Sequence, residues 1–151
     1  MIDESIFREY DIRGIVPSQL NETSISIISY AIARKCNDEN INELALGRDG
    51  RLSGEKILSL LSKALQSLGI NVVNVGIVTS PLLYFAANQL PSKSGIMITG
   101  SHNPKNYNGF KIVINDSPVS GLEILNLLSK KPINKTNTGK EIIKINLMDE
   151  Y

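Results

Sequence analysis

The sequence predicts an α/β domain built as an α/β/α sandwich around a mixed, mostly parallel sheet. Short β-branched or apolar segments alternate with longer segments whose apolar residues recur at helical spacing. Two later strand segments, residues 95–98 and 110–115, are too close for a helical crossover and predict an antiparallel pair. The chain has 151 residues, of which 42% are hydrophobic, so it can bury one core and one domain is expected.

The first two helices are predicted from apolar stripes and capping residues. Residues 21–36 carry isoleucines at helical spacing, and Asn21 is a plausible N-cap. Residues 53–68 have the broadest apolar stripe of the chain, with Ser53 as the expected N-cap. Gly69 fits the position just after the helix end, where a left-handed backbone is common.

Two further helices follow. Ser80 and Pro81 are expected to open a helix that runs to about residue 90, with proline at its first position. Residues 121–130 place leucines on one side and predict a last short helix.

The strand segments alternate with these helices. Residues 43–47 and 70–75 are short apolar runs that glycines delimit, and residues 95–98 end in small polar residues. The antiparallel partner is 110–115, and 141–147 predict one more short strand-like segment.

The polar run 131–140 predicts a linker or surface loop. We therefore assign residues 1–140 to one domain and residues 141–151 to a connector that leads towards a second domain.

Composition and charge argue against several classes of function. Sixteen basic and fifteen acidic residues leave a net charge of +1, which supports neither bulk nucleic-acid binding nor attraction to anionic membranes. No segment reaches the ~18 apolar residues of a membrane helix, and the acidic residues 1–5 are unlike a secretion signal. Cys36 is the only cysteine and is expected to be a buried structural thiol. These features predict a soluble cytoplasmic protein.

Four of the five arginines fall in two short segments outside the predicted helices, residues 7–15 and 47–52. A guanidinium group is a planar fork that suits phosphate. The clustering is compatible both with an anion pocket and with solvated loop residues.

Residues 99–111 bring together a hydroxyl, an imidazole, an amide and an ammonium group. Ser101, His102 and Asn103 follow the strand 95–98, and Lys111 comes shortly afterwards. Ser101 is therefore expected beyond the carboxyl end of a strand, which is where ligands bind in open α/β sheets.

Two schemes for Ser101 fail on the sequence. A hydrolase needs a histidine base, but the only histidine, His102, is adjacent to Ser101 and would point away from it. Ile98 also stands where a nucleophile elbow requires glycine. A P-loop is absent, since residues 47–50 do not match its pattern.

The third scheme makes Ser101 a carrier of phosphate. A phosphoserine brings roughly −1.5 to −2 charge and needs a metal and cationic donors around it. Asn103 could supply an amide, and Lys111 could supply an ammonium group or act as a base. Taken singly, each residue also has a structural explanation: His102 and Asn103 could cap the loop, and Lys111 could face outward from a strand.

Four segments together resemble the successive motifs of the α-D-phosphohexomutases, and most closely the phosphomannomutase/phosphoglucomutase branch. They are residues 7–14 (FREYDIRG), 47–51 (GRDGR), 76–81 (GIVTSP) and 99–111 (TGSHNPKNYNGFK). They occur in the family's order and span most of its first domain. The resemblance therefore implies the N-terminal domain I of such an enzyme.

For the serine loop, the resemblance implies a catalytic role. Ser101 would be the phosphoserine that gives phosphate to a hexose monophosphate, forms a bisphosphorylated sugar and takes phosphate back from the other position. His102 and Asn103 would shape the loop and contact the phosphate. Lys111 matches the general base and would also bind substrate.

For the arginine segments, the resemblance implies supporting and binding roles. Tyr10 and Arg13 match positions that border the cleft and bind or orient the sugar phosphate, and Arg13 is also counted among the catalytic residues. Arg48, Asp49 and Arg51 match a motif of supportive role. Residues 79–81 would shape the adjoining turn.

The family has four domains, and this chain resembles only the first. The magnesium loop Asp-Gly-Asp-x-Asp is absent, so Ser101 would supply one Mg²⁺ ligand and the others would lie in a second domain. The implied partners are a hexose phosphate, a bisphosphorylated hexose as activator or intermediate, and the remaining domains. We expect a domain that folds alone but does not turn over substrate.

Two alternatives remain open on the sequence. The fold could serve a non-catalytic module that binds a phosphosugar or nucleotide sugar, since a fold does not dictate a function. An exposed apolar face could instead support an interaction role.

Overall fold

A seven-stranded sheet lies at the centre of the computed structural model, which describes residues 2–130 and 138–144. The strands are β1 (Ile12–Ile15), β2 (Glu43–Arg48), β3 (Asn71–Ile77), β4 (Gly95–Ile98), β5 (Tyr107–Ile114), β6 (Ser117–Val119) and β7 (Glu141–Ile143). The helices are α1 (Glu22–Asp38), α2 (Gly54–Ser67), α3 (Ser80–Gln89) and α4 (Gly121–Leu127), and a 3₁₀ turn covers Glu4–Ile6.

The strand order is β1-β5-β4-β2-β3-β7, with β6 paired to β5. Strands β4, β2, β3 and β7 pair in parallel, whereas β5 is antiparallel to β4, β1 and β6. Only β5 therefore runs against the other strands of the described chain. The predicted mixed, mostly parallel sheet and its antiparallel pair of strands are confirmed.

Helices cover both faces of the sheet. The larger core cluster contains buried residues of α1, α2 and α4 against one face, and α3 packs against the other face over Ala45, Val73 and Met97. The predicted α/β/α layering is confirmed. Cys36 is fully buried in the larger cluster, and burial raises the pKa of its thiol to about 12.

The helix ends agree with the predicted caps in part. Asn21 accepts a hydrogen bond from the Ser24 amide as part of a capping box, and Gly69 follows α2 with φ 87°. Ser53 precedes α2 as predicted but makes no capping hydrogen bond: its backbone is already helical (φ −75°, ψ −13°) instead of extended, and its hydroxyl accepts a hydrogen bond from Asn108 Nδ2 (2.9 Å). Thr79 caps α3, so Pro81 is the second residue of this helix and not the first.

Two short strands escaped sequence analysis. β1 has only four residues, with an arginine and a glycine among them, and β6 has three, so neither shows a readable alternation. β5 also begins earlier than predicted, at Tyr107, because its first residues pair with β1. β1 depends on a pairing partner that is distant in sequence, whereas β6 pairs with the end of β5 across a two-residue turn and is too short to show a pattern of its own.

The end of the described chain adds an edge strand. Glu141–Ile143 pairs in parallel with β3, within the segment predicted to be strand-like. Most of the predicted linker, residues 131–137, lies outside the described residues, as do residues 145–151. The division at residue 140 stays a prediction. No helix in the described ranges is long and apolar enough to cross a membrane.

We predict that Leu61→Ala lowers the free energy of unfolding by about 2–5 kcal/mol, because Leu61 is fully buried in the larger core cluster and its truncation leaves a cavity. The same substitution at Leu52, whose side chain is fully exposed, should change it by less than about 0.5 kcal/mol. Urea unfolding of the two variants measures the difference. Equal destabilisation would contradict this description of the core.

Candidate active site

The serine loop, residues 99–106, leaves the carboxyl end of β4 as predicted. Ser101 is half-buried and has φ 54°, in the left-handed region that residues other than glycine rarely occupy. The Ser101 amide donates to Thr99 Oγ1 (2.9 Å), and Thr99 Oγ1 donates to Asp49 Oδ2 (2.7 Å). Asp49 thereby fixes the backbone of Ser101 through one intervening hydroxyl.

Arg51 holds the rest of the serine loop through backbone carbonyls. Its Nη2 donates to the carbonyl oxygens of Ser101 (2.9 Å) and Asn103 (2.7 Å). Its Nη1 donates to those of Pro104 (2.5 Å) and Tyr107 (3.0 Å). One guanidinium group thus donates to three carbonyl oxygens of the irregular loop and to that of Tyr107, the first residue of β5.

The same contact explains the glycine before the serine. A Cβ at position 100 would overlap the Arg51 guanidinium group, so only glycine allows this close approach. The Arg51 side chain is also 3.7 Å from Asp49 Oδ2, measured from Nε. Gly100, Arg51 and Asp49 therefore act as one support for the loop.

Arg13 approaches the serine loop from β1, on the opposite side from Arg51. Its Nε and Nη2 lie 2.9 Å and 2.8 Å from Asp11 Oδ2, and its Nη1 donates to Asn103 Oδ1 and to the carbonyl oxygen of Gly100 (3.4 Å). In the sheet, Arg13 is the partner of Gly109 on β5, and the Gly109 carbonyl oxygen accepts a hydrogen bond from the Thr99 amide. The register of β1 and β5 therefore places Arg13 next to the start of the serine loop.

Lys111 joins this arrangement through the same carboxylate. Its Nζ lies 4.0 Å from Asp11 Oδ2, and its side chain is about one-third exposed. Lys111 and Arg13 thus share the buried Asp11, and Arg13 in turn contacts Asn103. The structure brings these three predicted site residues into one hydrogen-bonded and charged network beside Ser101.

Two predicted site residues are less enclosed. His102 is exposed, and Tyr10 has 80% of its surface exposed. Tyr10 and Lys111 nevertheless line one cavity of about 330 Å³. The contacts of His102 and Tyr10 with a ligand stay predictions.

A second cavity, of about 510 Å³, lies between the GRDGR segment and the serine loop. It is lined by Asp49, Gly50, Arg51, Leu52, Asn103 and Lys105. One arginine of each segment, Arg13 and Arg51, contacts the serine loop, and the anion-pocket interpretation of their clustering stays a prediction. Arg51 uses its donors on loop carbonyls, so it shapes this pocket more than it offers a free anion site.

Sequence reasoning missed Asp11 as a site residue. The available signal was the Asp11-Ile12-Arg13 spacing, because residues two apart on a strand face the same side and can pair. The roles of Thr99 and Gly100 in supporting Ser101 were also missed, since neither residue type indicates which distant side chain it contacts.

Comparisons with known proteins show the family of the chain. Residues 4–130 match the model of the family described as phosphoglucomutase/phosphomannomutase, alpha/beta/alpha domain I. A phosphomannomutase/phosphoglucomutase of Pseudomonas syringae pv. tomato is 42% identical over 152 residues, which covers 100% of this chain and 33% of that protein. A phosphoglucomutase of Neisseria meningitidis serogroup B is 48% identical over 128 residues, with 85% and 28% covered.

A solved structure gives the same result. The crystal structure of a phosphoglucomutase/phosphomannomutase family protein from Burkholderia thailandensis superimposes with a TM-score of 0.89 at 33% identity and covers 100% of this chain and 35% of that chain.

The layered fold with a serine loop at the strand ends is that of a phosphosugar mutase domain. The chain belongs to the phosphoglucomutase/phosphomannomutase family and corresponds to its domain I. It spans about a third of the length of the curated relatives it matches. The resemblance drawn from the four motifs is confirmed.

We predict that Arg51→Ala releases the serine loop while the sheet stays folded, because four carbonyl oxygens lose a charged donor. Amide hydrogen exchange should show that the free energy of local opening of residues 101–107 falls by on the order of 2 kcal/mol.

A matched control is Arg34→Ala, which removes an arginine paired with Asp38 on the surface of α1 and should leave exchange in the serine loop unchanged. Unaltered exchange at residues 101–107 in Arg51→Ala would show that the loop is held by other contacts.

Proposed function

We propose that this chain is the serine-bearing catalytic domain of a phosphohexomutase that interconverts hexose 1-phosphate and hexose 6-phosphate. The observation that carries the proposal is the position of Ser101, whose left-handed backbone is supported by Thr99 and Arg51. The names of the relatives supply the substrate class. The reaction is proposed for a longer protein of which this domain forms part.

In the proposed reaction, Ser101 carries a phosphoryl group. An oxygen of the hexose phosphate forms a bond to phosphorus while the bond from phosphorus to Ser101 Oγ breaks. Lys111, in its neutral amine form for this step, takes the proton that the sugar hydroxyl loses and becomes the ammonium form. The bisphosphorylated sugar then returns its other phosphoryl group to Ser101 Oγ, and the proton returns to the sugar oxygen.

The charges around the loop support a phosphate-bearing serine. Arg13 and Lys111 place two cationic side chains on Asp11, close to the loop, and Asn103 offers an amide. Because the Asp11 carboxylate already pairs closely with Arg13, Lys111 is only loosely held at 4.0 Å and is available to a substrate. We assign phosphate contact to His102 and sugar-phosphate orientation to Tyr10 and Arg13.

The residues described here do not form a magnesium site by themselves. In ranges 2–130 and 138–144, no group of three or more His, Cys, Asp or Glu side chains could hold a metal ion. Mg²⁺ prefers carboxylate and phosphate oxygens, so Ser101 could contribute one ligand at most. We therefore assign the remaining Mg²⁺ ligands to other parts of a longer protein.

The same reasoning sets the partners and the location. We propose that the chain works with further domains, since its relatives are about three times as long. A bisphosphorylated hexose would act as intermediate and activator. The free, buried thiol of Cys36 suits the reducing cytoplasm.

The proposal is tested by joining this chain to the remaining two thirds of the Pseudomonas syringae relative and assaying conversion of hexose 1-phosphate to hexose 6-phosphate. We predict that Ser101→Ala lowers the rate at least ~10³-fold, because the covalent carrier is lost. Ser67→Ala, at an exposed serine near the end of α2, is the matched control and should retain the rate. Full activity of Ser101→Ala would favour the non-catalytic binding module.

We also predict that the isolated chain does not isomerise hexose phosphates, since its described residues lack a metal-binding cluster. The same assay, with and without Mg²⁺, measures this. Mg²⁺-dependent turnover at a rate comparable with that of the complete relative would contradict it.

A further inference from the structure

A cavity of about 330 Å³ lies on the α3 side of the sheet, next to the network that supports Ser101. Its lining includes Tyr10, Tyr84, Lys111, Val113, Asp116 and Pro118. The volume is at the lower end of the range for small-molecule pockets, about 300–1,000 Å³, and suits a ligand the size of a monosaccharide. Tyr84 belongs to no motif that sequence analysis singled out.

The lining combines the two kinds of surface that a sugar ring requires. Tyr10 and Tyr84 offer aromatic faces and phenol hydroxyls, and Val113 and Pro118 are apolar. Lys111 is the cationic group of the lining, and Asp116 contributes a negative charge. This balance favours an uncharged, hydroxyl-rich ring over a second phosphate group.

Tyr84 lines the same cavity as Lys111, and Lys111 belongs to the charged network that leads through Asp11 and Arg13 to the serine loop. The pKa of the Tyr84 phenol is raised by burial and by the negative charge of Asp11, which also pairs with Arg13 and lies 4.0 Å from Lys111. The phenol thus remains a protonated donor at neutral pH.

The cavity wall is held by regular structure. Tyr84 lies on α3, whose start is capped by Thr79 and whose second residue is Pro81. The opposite wall comes from the β5–β6 hairpin, whose two-residue turn has Asn115 and Asp116 at φ 53° and 64°. A rigid wall of this kind loses little conformational entropy when a ligand binds.

We propose that this cavity binds the hexose ring of the phosphosugar and that Tyr84 is a substrate-binding residue that donates a hydrogen bond to a ring hydroxyl. The inference rests on the proposed function for its ligand class. It adds a subsite for the sugar ring. The phosphate group of the same ligand would extend past Lys111 and Arg13 towards Ser101.

The test is an NMR titration of this chain with glucose 1-phosphate, and with inorganic phosphate in a parallel experiment. Glucose 1-phosphate should shift the amides of Val113 and Asp116 and the ring signals of Tyr84. Inorganic phosphate should shift the serine loop and leave the signals of Tyr84, Val113 and Asp116 unchanged.

Tyr84→Phe removes only the hydroxyl and should weaken glucose 1-phosphate binding about five-fold. The matched control, Tyr30→Phe, changes a tyrosine of α1 on the other face of the sheet and should leave the affinity unaltered.

Shifts from glucose 1-phosphate that are confined to the serine loop, or equal affinity in Tyr84→Phe, would overturn the ring subsite and leave the proposed function standing. Shifts at neither place would overturn the subsite together with phosphosugar binding by this domain.

Discussion

The candidate site depends on one interaction, the binding of three serine-loop carbonyl oxygens and that of Tyr107 by the Arg51 guanidinium group. A loop that turns Ser101 into a left-handed conformation cannot pair its carbonyls within a strand, and unpaired partly buried carbonyls are costly. Arg51 comes shortly after the end of β2, and the serine loop follows β4, which lies next to β2. Because these two strands are parallel, both ends lie at the same edge of the sheet. The parallel sheet thus brings the loop and its support together, and Gly100 leaves room for the contact.

A second constraint comes from the antiparallel strand β5, which lies between β1 and β4 in the sheet. β5 carries Lys111 back past β4 and pairs with β1, so Arg13 and Lys111 reach the loop from neighbouring strands. Both cations share the buried Asp11 carboxylate. This arrangement concentrates positive charge beside Ser101 and balances it with a single anion. In this arrangement the buried Asp11 carboxylate is paired with cations, so no buried charge is left without a partner.

The sequence predicted the larger elements, and it failed where distant pairing decides the structure. The α2 stripe and the Asn21 cap are local signals and were read correctly. β1 has no readable alternation, so its pairing with β5 could not be derived from the chain, and only the two-residue spacing of Asp11 and Arg13 indicates their contact. Ser53 is a suitable N-cap by residue type, but it makes no capping hydrogen bond, and its hydroxyl accepts one from the buried Asn108 side chain instead. Arg51 was given a supportive role from its motif, yet nothing local indicates that it binds four carbonyls.

The contacts of Thr99 and Arg51 fix the backbone of Ser101 in the domain without any bound sugar phosphate. The most direct measurement is the backbone torsion of Ser101 in solution, from NMR scalar couplings and chemical shifts of the isolated chain. A single left-handed conformation with an amide protected by Thr99 is the predicted result. Averaged values typical of a flexible peptide, with an unprotected Ser101 amide, would contradict the claim that Arg51 and Asp49 hold the serine ready for phosphate.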